Sequence, residues 1–268
     1  MRVIDVEDLQ DPRLAVYREI NRKNLTRASG RFIAEGRWLV ERLLNSDLQT
    51  ESIVCGHEYL AQLPQNLPDA LPVYRLPAKS ISELIGFQFH RGMLACGLRP
   101  ANAPLNQIID STAPETTLVV CPDIVDPTNL GSVIRNGSAF GASGLLLGPN
   151  CADPYSRRVV RVSMGNVFQL PIRVAEDLSG ELHDLHIEHG FTRYATILGN
   201  CDTLMSHMTR PRRIAIVFGS EGHGLSPESM AQAEHRITLP MHRNTDSLNL
   251  ATSTGVFLYH FTCIARRS

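Results

Sequence analysis

Apolar residues in the second half of the chain gather into short runs. These are TLVVC at 117–121, GLLLG at 144–148, LPIRV at 170–174, YATIL at 194–198, IAIVFG at 214–219 and RITLP at 236–240. Runs of this length without polar alternation predict strands buried on both faces. The stretches between them leave room for crossover helices, so the pattern predicts an α/β domain with a mostly parallel sheet. After the first run, Leu130, Val133, Ile134 and Phe140 form a helical stripe, with Thr128 or Asn129 as N-cap and Gly141 just past the end. A last stripe of Leu250, Phe257, Leu258, Phe261, Ile264 and Ala265 predicts a closing helix.

The opening of that helix departs from ordinary packing. Ser247, Asn249, Ala251, Thr252, Ser253, Thr254 and Gly255 are small or polar, at the place where a helix leaves its first N–H groups unpaired. Such a start predicts that a ligand or another chain packs there.

The first third reads as a smaller α/β unit. Trp38, Leu39, Arg42 and Leu43 make a helical stripe, SIVC and LPVYRL are short strands, and Gly92–Leu98 is a buried strand closing the unit. The proline-containing stretch that follows has few core residues. The expected organisation is therefore an N-terminal domain at 1–99, a linker at 100–116 and a second domain at 117–268.

Composition narrows the class. The chain is 43% hydrophobic and 20% charged, the balance of a globular protein with ample core. No apolar run has the length of a membrane span, and MRVIDVEDLQ lacks the apolar stretch of a signal peptide. The six cysteines contain no C-x-x-C pair and read as reduced, mostly buried thiols, for which the cytoplasm is the simplest compartment. HDLHIEH at 183–189 steps around its helix and reads as a solvated face, so no metal is expected. A net charge of −1 argues against a generic nucleic-acid coat protein. The charge is uneven, however: Arg13, Arg18, Arg22, Lys23, Arg27, Arg31 and Arg37 cluster, as do Arg157, Arg158 and Arg161, and Arg210, Arg212 and Arg213. Each cluster alone reads equally as solvated surface; three together favour a polyanion-binding face.

In open parallel sheets ligands collect at the carboxyl ends of strands, and the chemistry-bearing segments lie there. NLGSVIR places Asn129, Gly131 and Arg135 at a glycine-containing helix start; in an isolated helix Arg135 would read as a surface arginine. GSEGHGLSPE places three glycines around Glu221, which is either a substrate-orienting acid or a salt-bridge partner within the loop. Its order is G-x-x-G-x-G, neither the dinucleotide fingerprint nor a P-loop. RVSMGNVFQLP at 161–171 reads equally as a helix C-terminal turn or a ligand contact.

Taken together and in order, NLGSVIR, FGSEGHG and LPMHRNTDSLNLATS resemble the three motifs of the SpoU family of RNA ribose 2′-O-methyltransferases, in the SPOUT superfamily. The likeness covers about 117 to 268, and RFIAEGRWLVERLL is similar to the L30e-like substrate-binding domain that many members carry. The resemblance implies a C-terminal trefoil knot, a homodimer packed through the last helix, and S-adenosyl-L-methionine held by backbone around Gly219, Leu239 and Leu248. It implies that Arg135 is the catalytic residue, with Asn129, Glu221, Ser247 and Asn249 shaping the site around the ribose. The implied partner is ribosomal or transfer RNA. Arg243 stands where the family often has glycine. The competing readings are a non-catalytic RNA-binding factor that retains the fold, and a nucleotide-dependent enzyme of ordinary doubly wound type.

Overall fold

A computed structural model describes residues 2–18, 20, 29–109, 112–199, 205, 208–220, 222–243 and 245–265. Two compact units emerge, Met1–Ala101 with Tyr155–Gln169, and Asn102–Pro154 with Leu170–Ser268. The excursion of Tyr155–Gln169 into the first unit is a tertiary feature that two consecutive sequence segments do not anticipate.

The first unit holds a five-stranded mixed sheet built from β1 (Arg2–Asp5), β2 (Arg31–Glu35), β3 (Thr50–Gly56), β4 (Pro72–Leu76) and β5 (Met93–Leu98), in the order β1-β4-β3-β5-β2. β1, β4 and β3 run parallel, while β5 is antiparallel to both β3 and β2. One core gathers Leu14, Tyr17, Ile33, Val54, Leu76, Ile81 and Leu94. The Arg37–Leu44 helix buries Leu39, Val40 and Leu43. Trp38 does not join that stripe: it is 69% exposed, because it falls on the helix face turned from the sheet. RVSMGNVFQLP ends the Arg157–Val162 helix in a left-handed turn, with Met164 at φ 54° and Gly165 at φ 77°, and Phe168 stacks on Phe32 of β2.

Within this unit the buried Glu35 carboxylate pairs with Arg157. Removing one partner of a buried pair leaves a desolvated charge, which costs about 3–5 kcal/mol. Arg157→Leu is therefore expected to lower the urea midpoint clearly, and adding Glu35→Leu to recover much of the loss. Equal midpoints for wild type and Arg157→Leu would show that the pair is energetically idle.

The second unit contains all six strands predicted from the apolar runs. They are β6 (Thr116–Cys121), β7 (Gly144–Leu147), β8 (Ile172–Val174), β9 (Thr192–Thr196), β10 (Arg213–Val217) and β11 (His235–Ile237). The order is β11-β9-β10-β6-β7-β8, and every pairing is parallel. β6 is buried along its whole length, as a continuous apolar run in a two-sided sheet requires. The chain runs outward from β6 through β7 to β8, then crosses to β9 on the other side. That reversal makes a topological switch point. The stretch expected as a linker also contributes here: Ala103, Ile108 and Ile109 are buried in this core.

The Pro127–Ala139 helix starts earlier than the capping expectation. Its N-cap is Asp126, whose Oδ1 accepts from the Thr128 N–H at 2.6 Å, and Pro127 takes the first helical position. A carboxylate followed by a residue with φ already helical outcompetes Thr128 or Asn129 as the start. The basic cluster at 210–213 is also less available than its sequence suggests. Arg210 is 3% exposed and paired with Glu115, and Arg212 and Arg213 donate to the carbonyls of Pro114 and His189. Arg22, Lys23 and Arg27 of the first cluster lie outside the described residues.

Cys55, Cys96, Cys121 and Cys151 are free and buried, and burial pushes their thiols up, Cys55 to about 12. Cys263 is exposed, and Cys201 lies outside the described residues. No helix among the described residues is long and apolar enough to cross a membrane. The loops after β9, β10 and β11, where a knotted threading is expected, include residues 200–204, 206–207, 221 and 244, which lie outside the described residues.

Candidate active site

The carboxyl ends of β9, β10 and β11, three neighbours in the sheet, open onto one cavity of about 610 Å³ in the second unit. Thr196 ends β9 and Ile197 and Leu198 follow it, Gly219, Ser220 and Gly222–Leu225 follow β10, and Thr238 and Leu239 follow β11. The start of the Leu250–Tyr259 helix closes it with Ser247, Leu248, Asn249 and Ser253.

The β10 loop owes its shape to its glycines. Ser220 and Gly224 exchange backbone hydrogen bonds, 3.1 Å from the Ser220 N–H and 2.9 Å from the Gly224 N–H. The loop therefore folds back on its own start. A Cβ on Gly219 would stand 2.3 Å from the Gly224 carbonyl carbon and 2.5 Å from the Leu225 nitrogen. Only glycine allows this approach. The G-x-x-G-x-G order thus serves a self-closing loop whose backbone faces the cavity.

Three features place the Pro127–Ala139 helix against the last helix of the unit. Asn249 donates through Nδ2 to Oδ1 of the buried Asn129 at 3.5 Å. Asn136 donates through Nδ2 to the Ala251 carbonyl at 2.6 Å. Phe140 and Tyr259 rings meet at 6.0 Å between centroids. Asn249 is also the N-cap of its own helix, its Oδ1 accepting from the Ala251 N–H at 2.9 Å. One side chain therefore both starts the last helix and faces Asn129. Asn249→Ala is expected to destabilise by about 1 kcal/mol through the lost cap alone. Asn249→Asp, which retains the cap, should hold the melting temperature while removing the amide donor. A melting temperature unchanged in the alanine variant would remove the cap from this account.

The eight residues singled out in the sequence fall as follows. Gly219, Leu239, Leu248, Ser247 and Asn249 line the cavity, and Asn129 joins it through Asn249. Arg135 is exposed on the Pro127–Ala139 helix and is not a wall of the cavity. Glu221 lies outside the described residues. Sequence reasoning missed Thr196, Ile197, Leu198, His223, Met241 and Phe257 as lining residues. The first three are the last residues of YATIL, so the carboxyl-end rule applied to that run would have found them. Arg243 has φ 56°, the left-handed region that glycine adopts freely, and its side chain is exposed.

The walls suit a ligand that combines an aromatic base with a polar arm, since Ser247, Asn249 and Ser253 stand among the apolar residues. Leu198 and Leu248, 63% and 39% exposed, turn apolar surface to the cavity, and the glycine-rich loop brings backbone donors and acceptors to it. The volume lies in the range of small-molecule sites. These dimensions, and apolar walls faced by backbone polar groups, fit S-adenosylmethionine.

Fold and site define the class: an α/β protein whose parallel sheet, glycine loop and final helix line a nucleoside-sized cavity at the carboxyl ends of three strands. Residues 116–259 match the SpoU rRNA Methylase family. The chain is 36% identical to an uncharacterised tRNA/rRNA methyltransferase of Mycobacterium bovis, over 97% of this chain and 92% of that one. It is 23% identical to a 23S rRNA guanosine 2′-O-methyltransferase of Bacillus subtilis, over 95% and 98% of the two chains. The crystal structure of an AdoMet-bound rRNA methyltransferase from Sinorhizobium meliloti superposes with a TM-score of 0.83 at 26% identity, covering 97% of each chain. The chain belongs to the SpoU rRNA methylase family.

Proposed function

We propose that this protein transfers a methyl group from S-adenosylmethionine to a ribose 2′-hydroxyl of ribosomal or transfer RNA, working as a homodimer. The observation that carries the reading is the meeting of three separate segments, around Gly219, Leu239 and Leu248, on one cavity beside the Asn129–Asn249 pair. Family membership and the names of its relatives agree: one methylates a guanosine 2′-oxygen in 23S rRNA, and another binds AdoMet in its crystal structure.

S-adenosylmethionine supplies an activated methyl group on its sulfonium. Backbone groups of the Gly219 loop, Leu239 and Leu248 hold its adenosine, and Leu198 and Leu248 cover the apolar parts. Ser247 and Asn249 hold the acceptor ribose, and Asn129 orients Asn249. Arg135 remains a cation at any ordinary pH. It therefore holds a phosphate next to the acceptor nucleotide and orients the hydroxyl, whose proton leaves to a phosphate oxygen of the RNA. Holding the acceptor in line reduces the barrier chiefly through orientation. Glu221, between two glycines of the same loop, is assigned to shaping this site.

The homodimer reading rests on apolar side chains left exposed at the last helix. Val256, Tyr259 and Ile264 are 38%, 49% and 57% exposed, close together in sequence and on or just beyond that helix. Tyr259→Asp is expected to shift the molar mass measured by light scattering toward that of one chain. A wild type that elutes as a monomer at micromolar concentration would refute the dimer.

The activity is tested with tritiated methyl donor and unmodified ribosomal and transfer RNA transcripts. Label should enter one transcript and survive alkaline hydrolysis as a dinucleotide, because a methylated 2′-oxygen cannot attack the neighbouring phosphate. Label confined to mononucleotides after alkali would place the methyl group on a base and overturn the ribose assignment.

A further inference from the structure

Trp38 is the only tryptophan in the chain, and folding leaves it 69% exposed. A tryptophan is the side chain with most to gain from burial, so its exposure calls for a partner. It stands on the outer face of the Arg37–Leu44 helix, with Leu39, Val40 and Leu43 turned inward. Its surroundings are cationic. The Arg37 guanidinium lies 5.7 Å from the ring centroid, steadied by Glu41 at 2.7 Å. Arg42, one helical turn from Trp38, is exposed and anchored on the Met164 carbonyl. Arg91 is brought to the start of the same helix by Gly36: at φ 84° and without a side chain, Gly36 leaves the Arg91 stem only 3.1 Å from where a Cβ would be. Of the two acids in this stretch, Glu41 holds Arg37, and Glu35 is buried against Arg157.

We infer that Trp38 is a stacking platform for an unpaired RNA base, with Arg37, Arg42 and Arg91 taking the flanking phosphates. This rests on the reading of the protein as an RNA-acting enzyme, and deepens it by naming where single-stranded substrate is gripped in the first unit. An indole face accepts any base, and guanidinium groups at its rim supply backbone charge compensation. The cationic groups beside the indole complement the negative charge of an RNA backbone, which selects a polyanion as the occupant. Unpaired bases present a face for stacking, whereas a duplex hides its bases in the helix.

The single tryptophan makes the test direct, since emission excited beyond the absorption of the tyrosines reports Trp38 alone. Titration of the full chain with a ten-nucleotide oligoadenylate is expected to quench this emission, and a blunt RNA duplex to leave it nearly unchanged. End-labelled oligoadenylate should bind Trp38→Ala about 10- to 100-fold more weakly, with Trp38→Phe in between. Arg91→Ala should lower the slope of log affinity against log salt by about 0.7. Cofactor affinity should stay at its wild-type value in Trp38→Ala, because Trp38 is not among the residues lining the cofactor cavity. Binding of oligoadenylate without quenching, equal affinity of wild type and Trp38→Ala, or absence of binding would each overturn the platform. So would a blue shift of the emission with protein concentration alone, which would make the surface a contact between copies of this chain. Methyl transfer to RNA without quenching would leave the proposed activity standing and remove the platform; quenching without methyl transfer would do the reverse.

Discussion

Gly219→Ala is expected to reduce S-adenosylmethionine affinity by about 100-fold or more while the chain still folds. One methyl group suffices because its neighbours are backbone atoms, at 2.3 Å from the Gly224 carbonyl carbon and 2.6 Å from the Gly224 oxygen. A flexible side chain would swing aside, but here the loop itself must shift by about an ångström, and displacements of that size are enough to cost two orders of magnitude in positioning. The Ser220–Gly224 backbone pair would break, and the wall after β10 would open. Gly222→Ala is the control. It belongs to the same loop and lines the same cavity, yet a Cβ there meets nothing within 4 Å. Calorimetry with the cofactor and circular dichroism on both variants separate the outcomes. Wild-type affinity in Gly219→Ala would remove this loop from the cofactor site.

Arg135→Ala is expected to lower the turnover of methyl transfer by about 100-fold or more, with cofactor affinity within about twofold of wild type. The contrast follows from position. Arg135 is exposed and forms no wall of the cavity, so its removal leaves the cofactor site intact. Its proposed work is on the RNA, where a planar fork of donors grips a phosphate in a fixed orientation. Lysine keeps the charge and loses the fork, so Arg135→Lys should recover only part of the rate. Equal turnover of wild type and Arg135→Ala would take Arg135 out of the mechanism.

Much of the second unit was legible because a parallel sheet writes itself as uninterrupted apolar runs. All six runs became strands, within a few residues of their expected limits. The small, polar opening of the last helix likewise announced the cavity that Ser247, Asn249 and Ser253 line. Start signals were less readable. Thr128 and Asn129 are good caps in isolation, but Asp126 followed by Pro127 begins the helix sooner, and this leaves Asn129 buried inside the first turn, where its amide meets Asn249. The stripe containing Trp38 misled for a similar reason. Periodicity names the residues that share a face, and Leu39, Val40 and Leu43 sufficed for the sheet, leaving Trp38 outside.

Charge was the least legible property. Arg210 looks like its exposed neighbours in a list of residues, yet it is buried on Glu115 and Thr117. Arg157 similarly turns to Glu35, more than a hundred positions away. Whether an arginine meets solvent or a carboxylate depends on partners remote in the chain, and single-sequence patterns carry no such information.

The linear chain was enough to establish the strands, their parallel pairing and the glycine-rich, small-residue segments, since these depend on local periodicity and on which residues tolerate close approach. Tertiary packing alone decided that β9, β10 and β11 lie side by side, so that Thr196–Leu198 share a cavity with Gly219 and Leu248. It also decided that Tyr155–Gln169 packs with the first unit, and that Gly219 touches the backbone of Gly224. The reason is the same in each case. A strand is written in its own few residues, whereas neighbourhood in a sheet is a balance among distant segments that no one of them records.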